Sequence, residues 1–217
     1  MKNNIITFLL FMCFVSNSFS AIPFVTDDTG VIEVNKYELE TVYENILDEI
    51  DNEQILSFGL KTGLTQKLDL LVSFPYKIYP HQEEKFEDAS LGLKYLILED
   101  LLAFSFNNTL GTRSYFLNLI LTKELFVIFH LNIGYNISED KNFAGDTFFG
   151  LAFEYDIKNF NVGFEFLFNN FSMESYLLGI RYKFFKSHFI CLGIRQLLKN
   201  ETQSNTTCIV AGIHNEF

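Results

Sequence analysis

From residue 36 to its last residue, the chain alternates apolar and polar side chains in short runs of period two. No other feature limits its folding as much, because such alternation gives an extended strand one apolar and one polar face. In 68–76, Leu68, Leu70, Val72, Phe74 and Tyr76 alternate with Asp69, Leu71, Ser73 and Pro75. In 160–168, Val162, Phe164, Phe166 and Phe168 stand opposite Asn161, Gly163 and Glu165. About twelve such runs are expected as strands: 36–44, 54–62, 68–76, 88–96, 102–108, 114–122, 125–135, 147–155, 160–168, 176–184, 188–196 and 206–217. Helical spacing is weak almost everywhere.

Two features favour a closed membrane barrel over a soluble periplasmic β-sandwich. The polar face is largely Gly, Ser and Asn with scattered charges, whereas the apolar face is Leu, Phe, Val and Ile, with Tyr near strand ends. That pattern matches a lipid-facing wall, a polar lumen and aromatic girdles. The 26 Phe and 10 Tyr, without Trp, are also more large rings than a soluble core of this size readily holds. The linkers alternate as well. Residues 63–67, the pair Lys123-Glu124, 156–159 and 185–187 are short, while 77–87, 136–146 and 197–205 are longer and polar. Short periplasmic turns and longer outer loops give a barrel that asymmetry. The expectation is an all-β fold, a single antiparallel transmembrane β-barrel of about 12 strands.

The first residues set the destination. Lys2, an apolar run from Ile5 to Val15, and the small residues Ser18 and Ser20 spell a secretory signal peptide cleaved after Ser20. The run is too short for a spanning helix, which needs about 20 residues. Cys13 lies inside it and follows Met12, a poor neighbour for a lipidated cysteine. Residues 1–20 are therefore read as a leader and 21–217 as one outer-membrane barrel domain. The expected surroundings are outer-membrane lipid in a Gram-negative cell. Phe217 closes an alternating strand behind Ile213, Ala211 and Ile209. This resembles the C-terminal signature through which the barrel assembly machinery takes up its clients, with Asn215 departing from it. A net charge of −11 argues against nucleic acid, which wants a basic face.

A family resemblance begins just past the expected cleavage site. The chain reads Pro23-Phe24-Val25-Thr26-Asp27-Asp28-Thr29-Gly30, then Glu38-Leu39-Glu40. Further on come Gly63-Leu64-Thr65-Gln66-Lys67-Leu68-Asp69-Leu70 and Ser73-Phe74-Pro75-Tyr76. Asp88 to Tyr95 and His130 to Tyr135 follow in the same order. These pieces resemble the outer-membrane transporter family of the meta-pathway phenol-degradation type. They are spread over roughly the first two-thirds of the mature chain, a span fit for one domain. The family's L-P-T-G segment is replaced by Asn107-Asn108-Thr109-Leu110-Gly111. The resemblance implies an outer-membrane channel or transporter, porin-like, for small hydrophobic or aromatic solutes, and assigns no binding residue.

Strand parity gives the lumen-lining candidates. They are Glu38, Glu40, Glu44, Asp69, Lys94 and His130, then Glu154, Glu165, Arg181, Lys183 and Arg195. Acidic residues sit on the first strands and basic ones on the last, so barrel closure should create ion pairs across the seam. The lumen is then either an open pore or an ion-paired, filled interior of structural role, because buried charges need partners. Thr26, Asp27, Asp28 and Gly30 form a motif of unassigned role: a cation loop, or a turn or plug whose aspartates bond nearby amides. His130 is the best general-base candidate for a lipid-modifying barrel enzyme, but no His-x-Ser pattern accompanies it. His81, His188 and His214 show no evident partner. Cys191 and Cys208 share the lumen face of the last two strands, so a disulfide would be formed in one hairpin register. No nucleotide loop, zinc spacing or serine-hydrolase motif occurs, and neither a cofactor nor a metal nor enzymatic activity is inferred.

Overall fold

The computed structural model describes residues 23–48, 52–80, 86–111, 114–138, 145–185, 187–198 and 206–217. The expected leader, with Cys13, and His81 lie outside these residues. The period-two runs form strands because one face can meet lipid while every backbone N–H and C=O pairs with a neighbour. In chain order these are β1 (Tyr37–Leu47), β2 (Glu53–Thr65), β3 (Leu68–Tyr79), β4 (Ser90–Leu98), β5 (Leu102–Thr109) and β6 (Ser114–Glu124). They continue as β7 (Ile128–Ser138), β8 (Asp146–Ile157), β9 (Phe160–Asn169), β10 (Ser172–Phe185), β11 (His188–Leu197) and β12 (Thr206–Glu216).

Each strand pairs antiparallel with its chain neighbours, and β1 pairs with β12, so the sheet closes into a barrel. Closure leaves no open edge, which rules out the two-layer sandwich. At the seam Leu39 faces Asn215 and Thr41 faces Ile213. Tyr37 and Phe217 exchange backbone hydrogen bonds of 3.1 and 2.8 Å. Phe217 thus locks the seam where β1 begins. We call that rim, which holds both strand termini, the terminal end, and the opposite rim the loop end.

Two connections differ from expectation. The turn assigned to Lys123-Glu124 is Leu125-Phe126-Val127, because Glu124 still pairs with Ile128. The tripeptide's apolar side chains continue the alternation and so read as strand; Leu125 N donates to Val127 O at 2.9 Å to close the turn. At the loop end, the runs expected at 160–168 and 176–184 extend toward one another, and β9 and β10 join through Asn170 and Phe171 (φ 48° and 65°). Two successive positive φ angles suit the right-handed twist of a tight hairpin.

The outer wall is apolar along its length. Leu192, Phe164 and Ile194 are each more than half exposed, with Leu178 and Phe153 beside them in the same belt. Tyr37, Tyr95, Tyr155 and Tyr182 ring the terminal end; Tyr79, Tyr135 and Tyr176 ring the loop end. A wall this apolar between two tyrosine belts is stable only in lipid. Leu192 lies halfway along β11, so Leu192→Arg should cost about 2–4 kcal/mol, the depth-dependent price of a cation at the midplane. A lower urea midpoint in reconstituted vesicles checks it.

Candidate functional site

The inner face is built around a segment that is not a strand. Residues 23–34 enter the lumen and follow the wall from β11 back to β2, against the order of the chain. Pro23 lies by Gly179 and Gly193, Phe24 by Gly163 and Gly179, and Thr26 by Gly150. Val31 packs on Leu96, Ala103 and Ile120, and Val34 bridges to Gly63. These wall glycines leave the room that the segment fills: a Cβ at Gly179 would stand 2.6 Å from Pro23 Cγ, and one at Gly163 2.6 Å from Phe24 Cζ. Phe24 drops into an apolar seat formed by Leu177, Cys208 and Val210, with Val42 and Ile46 packed against it.

A buried segment without strand partners must satisfy its backbone by other means, and wall side chains do so. Val25 N and Thr26 N donate to Glu165 Oε1 at 2.7 and 2.6 Å, and Thr26 Oγ1 adds a third bond at 2.8 Å. Asp27 and Asn132 exchange two bonds: Asp27 N to Asn132 Oδ1 at 2.9 Å, and Asn132 Nδ2 to Asp27 O at 2.8 Å. Thr29 N donates to Thr122 Oγ1 at 3.1 Å, and Ile32 N to both oxygens of Asp69. Within the motif, Gly30 N donates to Asp28 Oδ1 at 2.7 Å and Asp28 N to Asp27 Oδ1 at 2.9 Å. The cation that the paired aspartates hold is a side chain of the wall. Lys94 Nζ lies 3.2 Å from Asp27 Oδ1 and 3.7 Å from Asp28 Oδ1. Segment 23–34 is therefore a plug held by polar bonds along most of its length.

The other lumen charges form three groups. Lys61 Nζ bridges Glu38 and Glu40 at 2.8 and 3.0 Å, and His214 Nδ1 approaches the same carboxylates at 3.5 and 3.6 Å across the seam. Glu38, Glu40 and His214 have metal-ligating atoms close together, yet the Lys61 ammonium already supplies the positive charge there. Farther along the seam, Arg195 Nη1 meets Glu44 Oε1 at 3.2 Å. The deepest group is Glu154, 1% exposed, which binds Arg181 and lies 3.3 Å from His130 Nε2. Arg181 also donates to Asn161 at 3.2–3.3 Å. Lys183 Nζ stands 5.4 Å above the Phe189 ring. Acidic first strands and basic last strands do meet, but Lys94, Glu154 and Glu165 are engaged well away from the seam.

The histidines and cysteines require correction. His214 sits beside two carboxylates, and His188 Nδ1 lies 2.8 Å from Asn215 Oδ1, so both have partners that strand parity alone did not reveal. Cys191 and Cys208 are buried and free. Cys191 lies opposite Gly212 and Cys208 opposite Arg195, four positions apart along the hairpin. At about 3.3 Å of rise per residue, that separation exceeds the roughly 4.4–6.8 Å between Cα atoms that a disulfide needs. Both thiols are buried, at different heights along the hairpin.

His130 has a hydroxyl on one side and a carboxylate on the other: Thr122 Oγ1 lies 3.0 Å from Nδ1, and Glu154 Oε1 3.3 Å from Nε2. The order is that of nucleophile, base and orienting acid. Thr122 is only 1% exposed, and Thr29 N covers its hydroxyl. As placed, the relay links plug to wall and offers a substrate no approach.

No family model matches the chain, and no curated protein matches it in sequence. Solved structures do match its fold. An outer membrane channel from Pseudomonas putida F1 aligns with a TM-score of 0.60 at 12% identity, covering 88% of this chain and 98% of that one. The KdgM porin in complex with disordered oligogalacturonate aligns at 0.60 with 11% identity, covering 82% and 99%. The outer membrane phospholipase dimer of Salmonella typhi, with bound calcium, aligns at 0.52 with 13% identity, covering 94% and 95%. The shared feature is the closed outer-membrane barrel.

Proposed function

We propose that this protein is an outer-membrane channel for small solutes, non-enzymatic, and held closed by its own residues 23–34. The observation that carries the reading is how the plug is attached. Its backbone N–H groups bond wall side chains, and water or a solute can replace each bond at a net difference of about 1 kcal/mol, or about 1.5–3 kcal/mol where the acceptor is the carboxylate of Glu165 or Asp69. The fold shared with an outer membrane channel and a porin supports it. So does the resemblance of the Pro23–Gly30 opening to the meta-pathway phenol-degradation type, which favours small hydrophobic or aromatic solutes. In this reading residues 1–20 direct export, β12 and Phe217 engage the assembly machinery, and the apolar wall lies in the outer membrane.

Planar-bilayer recording tests the proposal. Folded protein should give brief openings from a closed baseline, as a minor open state exchanges with the plugged one. Protein that inserts, shows heat-modifiable gel migration and never conducts would leave a structural barrel with a filled lumen as the better reading.

A further inference from the structure

We propose that the seat now filled by Phe24, together with the Glu165 carboxylate beside it, is a binding site for an aromatic amine cation, which the plug occupies as a stand-in; this rests on the channel reading above and names its solute class. The first observation is the pairing of two unlike surfaces. The Phe24 ring lies in the apolar seat of Leu177, Cys208 and Val210. One residue later, the Val25 and Thr26 amides and the Thr26 hydroxyl converge on Glu165 Oε1. A ring followed within a few bonds by N–H donors is the pattern of an arylalkyl ammonium ion.

The second observation is the state of Glu165. It is fully buried, and its three hydrogen bonds among the described residues come from the plug through one oxygen. Its other oxygen, Oε2, is buried with no partner among the described residues. Its neighbours in the sheet are Ala152 and Leu177, neither of which can neutralise it. Arg195, beyond Leu177, gives its Nη1 to Glu44 and attracts Glu165 from a distance, but no hydrogen bond joins it to Glu165 among the described residues. Asp69 differs: Lys94 lies directly opposite on β4 and can pair with it when the plug leaves. Glu165 is thus a wall carboxylate whose hydrogen bonds, among the described residues, all come from the lumen. A buried carboxylate left uncompensated is strongly unfavourable, and a primary ammonium, with three donors and a positive charge, satisfies it better than amides do.

Cys208 lines the same seat and reports on it. In the folded full chain, Phe24→Ala should speed labelling of Cys208 by a neutral methanethiosulfonate about tenfold or more, the ratio expected when one large contact is lost. The labelled residue is identified by peptide mass spectrometry. Added 2-phenylethylamine should restore protection saturably, because ring and ammonium refill the seat. Neither 3-phenylpropionate, with the charge reversed, nor butylamine, without the ring, should protect. Glu165→Gln in the same background should abolish protection by the amine. Equal protection by 3-phenylpropionate, or protection that survives Glu165→Gln, would overturn the site.

If Phe24→Ala does not fold, the wild-type chain serves. Calorimetric titration with 2-phenylethylamine should show saturable binding that Glu165→Gln removes, and its absence overturns the proposal. Conductance separates the two readings. Amine binding without openings in any bilayer would sink the channel and leave the site standing, whereas openings without amine binding would do the reverse.

Discussion

Gly179→Val should turn the closed barrel into one that conducts steadily. A Cβ at this position meets Pro23 Cγ at 2.6 Å, and Phe24 Cζ and Leu177 Cδ2 at 3.2 Å. Its cross-strand neighbours are Gly163 and Gly193, so in the wall only the flexible end of Leu177 has to give, and a β-branched residue suits a strand. What has to move is the start of the plug. Overpacking typically costs about 1–3 kcal/mol, comparable with the charge-assisted bonds that hold Val25 and Thr26. Open dwell time in single-channel records should rise about tenfold or more, with heat-modifiable migration unchanged. Records identical to wild type would show that residues 23–34 do not set the conductance. Gly163→Val makes a useful contrast: its Cβ also lies 2.8 Å from the Phe153 backbone oxygen, so wall and plug would both be strained and stability should fall as well.

The second large effect concerns stability. Arg181→Met should lower it by about 3–5 kcal/mol, because removing one partner of a buried pair leaves the other charge uncompensated. Among the described residues Glu154 would then keep His130 as its ion-pairing neighbour, at a site 1% exposed. The double variant Arg181→Met with Glu154→Gln should recover most of the loss, since no ionised carboxylate is then stranded. Urea midpoints followed by gel migration read both. A double variant as unstable as the single one would mean that Arg181 acts through packing rather than charge.

These two sites mark what the sequence reveals and what it conceals. Strands were legible because alternation depends only on neighbours along the chain; Leu68 to Tyr76 names its two faces without further information. The turn at Leu125-Phe126-Val127 was hidden because apolar turn residues at a membrane rim mimic strand. Parity names a face for Glu154, Glu165 and Arg181, but does not reveal that Glu154 meets Arg181 across β9 or that Glu165 caps Thr26. Those contacts depend on height, which accumulates strand by strand around a closed barrel. The same lack of height allowed Cys191 and Cys208 to be considered as a pair. One signal for the plug was present. Gly150, Gly163, Gly179 and Gly193 all fall on the lumen face of consecutive strands, where missing side chains call for something else to fill the space.

The link between plug and wall gives the seat a further property. Val34 bridges to Gly63, Lys36 N bonds Glu33 O at 3.0 Å, and Asn35 turns the chain at φ 66° into β1. With so short a tether, a released plug stays beside its seat at an effective concentration of about millimolar. On the channel reading proposed above, a competing solute would therefore face a threshold set by chain geometry, in addition to its own affinity. Scarce solute is outcompeted and the lumen reseals; abundant solute holds it open. The tether makes the barrel a gauge of abundance, and lengthening the turn at Asn35 would lower the level at which it responds.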